Sequence, residues 1–221
     1  MGILDEPQFK NRIKAVIFDM DGVLVDSEPA MARASVEALR EFGFDVRPEE
    51  FLPYVGTGEK NYFGSVIRAH GGEFTPEIKE KIYETYCRNI CRDAVRFPSV
   101  PPTVAALKKA GYKLAIASSS IPLKVEVTVS AAGLDKSDFG AIVNSDDVVN
   151  LKPAPDIFLE AARRIGAEPH ECFVCEDAEN GVRAAKAGGM FCLGITSSFP
   201  ASRLFELGAD RCARDIGALI Y

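Results

Sequence analysis

Short, continuous apolar runs recur along the chain, and helical patterns separate them. The runs cover 15–18, 114–117, 141–143, 173–175 and 191–195. Continuous apolar residues, without polar alternation, are typical of strands buried on both faces, as in a parallel sheet. The intervening helical patterns end at Gly111, Gly133, Gly166 and Gly188, and glycine commonly closes a helix. The alternation predicts a doubly wound, Rossmann-like α/β domain built on a parallel sheet.

The segment 29–94 interrupts this alternation. It contains no convincing strand, and helical patterns run over 30–42, 59–69 and 76–91. We therefore expect an all-α insertion at 29–94 and an α/β core formed by 1–28 and 95–221. An inserted helical unit can close over a ligand at the edge of a sheet.

The net charge of the chain and the lengths of its apolar runs limit the kinds of partner that it is expected to bind. The net charge of -6 disfavours binding to nucleic acids or to anionic membranes. The first residues lack the apolar core of a secretory signal, and no apolar run is long enough to span a bilayer. We therefore expect a cytoplasmic monomer without a nucleic-acid or membrane partner. Cys172 and Cys175 form a C-x-x-C inside an apolar run. No second pair of cysteines, or of cysteine and histidine, has the spacing of a zinc knuckle, which favours buried thiols over zinc or redox chemistry.

Polar side chains follow four of the predicted strands. In chain order they are Asp19 and Asp21, then Ser118 and Ser119, then Lys152 one loop after the third strand, then Glu176 and Asp177. Because ligands bind beyond the carboxyl ends of the strands in an open α/β sheet, these groups are expected to converge at one edge.

These residue types favour phosphoryl transfer. Carboxylates without histidine or thiolate suit Mg²⁺, and a lysine with a serine hydroxyl suits phosphate oxygens. A carboxylate can attack phosphorus to form an aspartyl-phosphate, and a second carboxylate can act as acid and base. A calcium loop beginning at Asp19 is disfavoured, because its twelfth position is Ala30 and a strand precedes it.

Four motifs, taken together and in order, resemble the haloacid dehalogenase (HAD) superfamily. They are Asp19-Met20-Asp21-Gly22, Ala117-Ser118-Ser119-Ser120, Lys152-Pro153-Ala154-Pro155-Asp156 and Glu176-Asp177-Ala178. The resemblance covers essentially the whole chain. It points to the subclass with a helical cap domain that includes β-phosphoglucomutase and phosphoglycolate phosphatase, so that 29–94 would be the cap. The segments 55–59 and 150–159 are also similar to the HAD domain of a plant thylakoid photoprotection protein.

The resemblance implies a role for each motif residue. Asp19 would be the nucleophile and a magnesium ligand, and Asp21 the acid/base and a ligand through its backbone carbonyl. Ser118 would bind the transferring phosphoryl group, Lys152 would steady nucleophile and phosphate, and Glu176 with Asp177 would complete the metal shell. Ser119, Gly56 and Glu59 are further candidates for contact with phosphate or substrate.

Three positions separate the alternatives within the subclass. Met31, Glu59 and Ile121 stand where the sugar-phosphate mutases carry a histidine, an arginine and a lysine. These departures remove groups that hold or guide a second phosphate. The sequence therefore favours a phosphatase acting on a small phosphorylated metabolite, such as a sugar phosphate. A phosphomutase and a non-catalytic interaction module of the same fold are the alternatives.

Overall fold

The chain divides into two compact units by its internal contacts. A computed structural model describes residues 2–55 and 58–221. One unit comprises the chain up to Asp26 and from Arg96 onward, and the other comprises Ser27–Val95. The assignment of 29–94 as a separate domain remains a prediction.

The larger unit is built on a parallel sheet of six strands. The strands of the chain are β1 (Ala15–Phe18), β2 (Val25–Asp26), β3 (Val95–Arg96), β4 (Lys113–Ala117), β5 (Ala141–Val143), β6 (Cys172–Glu176), β7 (Phe191–Ile195) and β8 (Arg211–Ala213). The sheet order is β5-β4-β1-β6-β7-β8. β1 therefore lies inside the sheet, with Ala15 opposite Lys113 of β4 on one side and Cys172 of β6 on the other.

Helices cover both faces of this sheet. The helices of the chain are α1 (Glu28–Glu41), α2 (Glu59–Ala69), α3 (Pro76–Asp93), α4 (Val100–Lys109), α5 (Pro122–Ala131), α6 (Asp156–Arg164), α7 (Glu179–Ala187) and α8 (Ala201–Glu206). Val16 and Phe18 of β1 pack on one face with residues of α4 and α5. Ala15 and Ile17 pack on the other face with residues of α6, α7 and α8. The predicted doubly wound α/β class is confirmed.

The structure contains short elements that the sequence pattern missed, among them β2, β3, β8 and α8. Helix α4 begins at Val100, and Pro101 and Pro102 are compatible with its first turn. All three residues of β8 are only half-buried, so its sequence lacks the continuous apolar run of the inner strands.

The smaller unit is helical. Helices α1 and α3 pack against each other, and a short 3-10 helix over Pro48–Tyr54 packs against α1 and α2. Leu39, Ile67, Ile82 and Tyr86 are fully buried. No helix in the described parts of the chain is long and apolar enough to cross a membrane.

The two cysteines of the C-x-x-C motif lie on opposite faces of the sheet. Cys172 and Cys175 are buried in β6, and side chains three positions apart on a strand point in opposite directions. Cys172 packs with the cluster that contains α6 and α7, and Cys175 with the cluster that contains α4 and α5. Both thiols are free. This placement accords with the predicted role of both as buried, reduced side chains.

We expect the double variant Cys172→Ala, Cys175→Ala to fold and to lose only packing free energy. Each substitution leaves a small void, so the free energy of unfolding should fall by about 1–2 kcal/mol for the pair. Denaturant unfolding measures this loss, and elemental analysis should find no zinc in the wild-type protein. A stoichiometric zinc ion that the double variant loses would contradict the assignment.

Candidate active site

The ammonium of Lys152 lies between two buried carboxylates. Its Nζ donates to Oδ1 of Asp19 at 2.5 Å and to Oε1 of Glu176 at 2.7 Å. The three side chains are 8%, 11% and 2% exposed. Nζ also lies 3.2 Å from the carbonyl oxygen of Ala117 and 4.7 Å from the ring centroid of Phe158. One cation therefore contacts groups from the ends of β1, β4 and β6.

Strand order explains this convergence. Asp19 directly follows β1, Glu176 is the last residue of β6, and Ala117 is the last residue of β4. These strands are adjacent and parallel, so their carboxyl ends meet at one edge. Lys152 arrives on the loop that follows β5, which is the other neighbour of β4.

Asp177 completes a cluster of three buried acids. Asp19, Glu176 and Asp177 each offer a carboxylate oxygen, and these oxygens lie within 4.8 Å of one another. When all three are ionised, their charge of -3 is opposed within this cluster by the single charge of Lys152. A divalent cation would neutralise the remaining charge of -2. Buried carboxylate oxygens without histidine or thiolate are a ligand set that fits Mg²⁺.

The crowded charges shift the pKa values of the site. Burial raises the pKa of Asp19 to about 7; Lys152 opposes this shift, while the charges of Glu176 and Asp21 add to it. Burial, with the charges of Glu176 and Asp19, also raises the pKa of Asp177 well above its usual value. Burial alone would lower the pKa of Lys152, but the two carboxylates that it contacts outweigh burial and raise it.

Hydroxyl groups from the loop after β7 hold Asp177. Ser198 Oγ donates to Oδ2 of Asp177, and Ser197 Oγ lies 3.2 Å from the same oxygen. Ser197 also donates to the carbonyl oxygen of Gly22 at 2.7 Å. Gly22 has a φ of +76°, and a Cβ there would lie 2.1 Å from Asp177 Oδ2. The glycine after Asp21 therefore leaves space for the buried acid.

Asp21 lies at the more open side of the site. Its carboxylate is 26% exposed and accepts from Lys124 Nζ at 2.7 Å and from Ser120 Oγ at 3.3 Å, both at Oδ2. Ser118 is buried, and its Oγ accepts from the backbone N–H of Ser120 at 3.2 Å. Ser119 is exposed. The loop after β4 thus carries both the predicted phosphate-binding serine and Ser120, one of the two groups that contact Asp21.

Most of the predicted site residues belong to the α/β unit, and two do not. Glu59 lies in the helical unit, where Lys79 Nζ approaches it at 2.7 Å and Tyr83 Oη donates to it at 2.9 Å. Gly56 lies outside the described residues. Substrate contact by either remains a prediction. The two histidines, His70 and His170, are exposed.

Sequence reasoning missed three kinds of site residue. Ser197 and Ser198 follow a predicted strand, as the predicted site residues do. A search for polar residues after this strand would therefore have found them. Lys124 lies in the first turn of α5, where a cation is electrostatically unfavourable, and that irregularity was its only signal. Phe158, whose ring lies close to the Lys152 ammonium, cannot be distinguished in the sequence from the other apolar residues of α6.

Comparison with known proteins identifies the family. The model of the haloacid dehalogenase-like hydrolase family matches residues 13–189. The chain therefore belongs to the HAD-like hydrolases, as the four motifs predicted.

Individual relatives agree with this assignment. The chain is 40% identical over 210 residues to Protein SUPPRESSOR OF QUENCHING 1, chloroplastic, of Arabidopsis thaliana, a match covering 93% of this chain and 20% of that protein. The chain thus spans about a fifth of the plant protein's length. It is 30% identical over 182 residues to fructose-1-phosphate phosphatase YqaB of Escherichia coli, covering 81% of this chain and 94% of YqaB. The structure of CbbY from Rhodobacter sphaeroides with phosphate superposes with a TM-score of 0.77 at 28% identity, covering 94% and 99% of the two chains.

We expect Gly181→Ala to displace Glu176 and to weaken Mg²⁺ binding strongly. A Cβ at Gly181 would lie 1.7 Å from Glu176 Oε1. Alanine should otherwise favour helix α7 by about 1 kcal/mol. Titration calorimetry with Mg²⁺ measures the effect, which should be a loss of at least about 10-fold in affinity.

Gly188→Ala is the matched control at the other end of the same helix. Its φ is -77°, and the nearest atoms to an added Cβ lie at 3.4 Å. Its Mg²⁺ affinity should equal that of the wild type. If both variants bind Mg²⁺ with wild-type affinity, Glu176 is not a metal ligand whose position depends on Gly181.

We expect Asp19→Asn to stabilise the metal-free protein. The pKa of Asp19 is about 7 in the folded state, above the ordinary value of 3.8 for an aspartate side chain. A raised folded pKa means that stability is lost as the pH rises from about 4 to about 7. A neutral amide removes this loss, although it also removes the charge attraction to Lys152.

The melting temperature in EDTA tests the sign. The advantage of Asp19→Asn should grow from pH 5 to pH 8 and reach at least about 1 kcal/mol, or 2–4 °C for a chain of this length. Asp138→Asn is the control, because Asp138 forms a half-exposed pair with Lys108 on the surface. If the melting temperature falls with rising pH equally in the wild type and in Asp19→Asn, the raised pKa of Asp19 is contradicted.

Proposed function

We propose that the chain is a magnesium-dependent phosphatase that hydrolyses a small phosphomonoester, such as a sugar phosphate, through an aspartyl-phosphate. The observation that carries the proposal is the position of Asp19. Its carboxylate lies at the end of β1, in a buried acid cluster, 2.5 Å from the Lys152 ammonium. The family assignment and the name of the relative YqaB support a phosphoric monoester hydrolase.

Asp19 is the nucleophile in the first step. One of its carboxylate oxygens forms a bond to phosphorus while the bond from phosphorus to the ester oxygen breaks. Asp21 donates a proton to the departing oxygen, so that an alcohol leaves. Lys152 keeps the carboxylate of Asp19 oriented and, with Ser118, binds the phosphoryl oxygens. Asp19, Glu176, Asp177 and the backbone carbonyl of Asp21 would hold Mg²⁺, which supplies charge stabilisation when bound.

Water is the acceptor in the second step. Asp21, now ionised, takes a proton from water as the water oxygen attacks phosphorus. The bond between phosphorus and the Asp19 oxygen breaks, which regenerates the carboxylate and releases inorganic phosphate. The charge developed on the phosphoryl oxygens is opposed by the ammonium of Lys152.

A phosphomutase is the runner-up. Such an enzyme needs groups that hold a second phosphate. Glu59 offers no positive charge, and its carboxylate is engaged by Lys79 and Tyr83 within the helical unit. Met31 is buried and apolar, and Ile121 offers no charge. These residues favour water as the acceptor. We further propose that the helical unit, as the cap domain, sets substrate specificity.

The other alternative is a non-catalytic module of the same fold. Loss of function in an enzyme fold usually begins with loss of the nucleophile or a metal ligand. This chain retains all five of these groups: Asp19, Asp21, Lys152, Glu176 and Asp177. Buried carboxylates destabilise the fold, and a purely structural role would give no reason to keep them. A cytoplasmic location, the monomeric state and the absence of nucleic-acid and membrane partners remain predictions.

Asp19→Asn tests the proposal by activity. The wild-type protein should release inorganic phosphate from at least one member of a panel of phosphorylated metabolites in Mg²⁺, and EDTA should abolish that release. Asp19→Asn should reduce turnover by at least about 1,000-fold, because it removes the nucleophile. Acid quenching of the wild type with radiolabelled substrate should trap phosphate on the protein, and the variant should trap none.

Product analysis separates the alternatives. Asp138→Asn serves as the surface control and should match the wild type. An isomerised sugar phosphate without inorganic phosphate would identify a mutase. Full activity in Asp19→Asn would exclude the mechanism, and absence of both Mg²⁺ binding and hydrolysis would favour the non-catalytic module.

A further inference from the structure

Lys124 occupies an unusual place for a cation. Helix α5 begins at Pro122 after its N-cap Ile121, so Lys124 lies in the first turn. The backbone N–H groups at this end carry partial positive charge, which disfavours a lysine there. A lysine in this turn therefore calls for a compensating anion.

That anion is Asp21. Lys124 Nζ lies 2.7 Å from Asp21 Oδ2, and Ser120 Oγ donates to the same oxygen at 3.3 Å. The two donors come from α5 and from the loop between β4 and α5, whereas Asp21 follows β1. Asp21, two residues after the proposed nucleophile, is thus joined to α5 by an ion pair and to the loop that carries Ser118 by a hydrogen bond.

Burial distinguishes this pair from ordinary surface ion pairs. The Lys124 side chain is 13% exposed. Lysines in surface pairs of the described residues are far more open: Lys108 is 54% exposed and Lys136 is 47% exposed. Only Lys152, at 8%, is more buried among the ion-paired lysines of this part of the chain. Exposed pairs contribute little because water competes for both charges, and at Lys124 that competition is reduced.

We propose that Lys124 is a positioning residue for Asp21. Its ammonium, with the Ser120 hydroxyl, fixes the direction of the Asp21 carboxylate, so that the same group can serve as acid in one half-reaction and as base in the next. This inference rests on the proposed phosphatase function. It assigns a role to Lys124. This lysine lies three residues after Ile121, and Ile121 stands where the mutases carry a lysine.

Leaving-group chemistry gives Lys124→Met a specific kinetic signature. Nitrophenolate leaves without a proton, so phosphorylation of Asp19 by p-nitrophenyl phosphate does not depend on Asp21. Attack by water depends on Asp21 for every substrate. In Lys124→Met a burst of one nitrophenolate per active site should therefore precede a steady state reduced by about 100-fold, a typical contribution of one acid–base group. With an alkyl phosphate both steps need Asp21, so turnover should fall without a burst.

Two further variants separate positioning from general effects. Lys124→Arg keeps a cation that can reach the carboxylate and should restore a substantial part of the steady-state rate. Lys136→Met is the matched control. Lys136 forms an exposed ion pair with Glu126, which is a residue of α5. This variant should show wild-type kinetics without a burst.

Other outcomes would overturn the proposal. A KM raised about 10-fold in Lys124→Met with kcat unchanged would make Lys124 a substrate ligand. Kinetics equal to those of Lys136→Met would make it a surface ion pair. Circular dichroism checks that each variant is folded, and Lys124→Gln replaces the methionine variant if the latter does not fold.

A crystallographic comparison tests the same inference without activity. Structures of the wild-type protein and of Lys124→Met should differ in the side-chain direction of Asp21. An unchanged Asp21 rotamer would overturn the proposal even if the kinetics changed. If the wild type releases no phosphate from any substrate, the proposed function fails, and the Asp21 rotamer still decides the role of Lys124.

Discussion

The site depends on one ammonium group placed between two buried carboxylates. Lys152 contacts Asp19 and Glu176 and also reaches the backbone at the end of β4. Breaking a buried ion pair leaves an uncompensated charge, so each partner holds the other two in place. The same arrangement leaves the acid cluster short of positive charge. The proposed binding of a divalent cation and the expected cost in stability of the metal-free site would therefore have a single origin.

Close packing around the acids depends on residues without side chains. A Cβ at Gly22 would overlap Asp177, and one at Gly181 would overlap Glu176. The serines after β7 then occupy the remaining side of Asp177. Glu176 and Asp177 are thus each confined by a neighbouring glycine, and Asp177 also by hydroxyl groups. Together with Lys152, these neighbours keep the three acidic side chains close together.

The inner part of the fold and most of the site could be predicted from the sequence, for physical reasons. β1, β4 and β6 are buried on both faces, so their apolar runs are continuous, and polar residues at their ends stand out. β8 is half-buried and carries no such pattern. Lys124 could not be assigned, because its partner lies about a hundred positions away along the chain and only the register of β1 beside β4 brings the two together. Pairing of Glu59 with Lys79 and Tyr83 likewise depends on helix packing that periodicity does not specify.

The central place of β1 also governs the order of assembly during synthesis. Its partners are encoded far downstream, since Ala15 lies opposite Lys113 and Cys172. The helical unit is one continuous segment encoded between β1 and β4, so all of its internal contacts can form before β4 is synthesised. On a ribosome, the apolar residues of β1 leave the exit tunnel well before either neighbouring strand exists. We expect the helices to fold first, and β1 to remain an unpaired, aggregation-prone segment until β4 and then β6 arrive. The strand that precedes Asp19 is thus the first strand of the sheet to be synthesised, yet it gains its second neighbour only when β6 is complete.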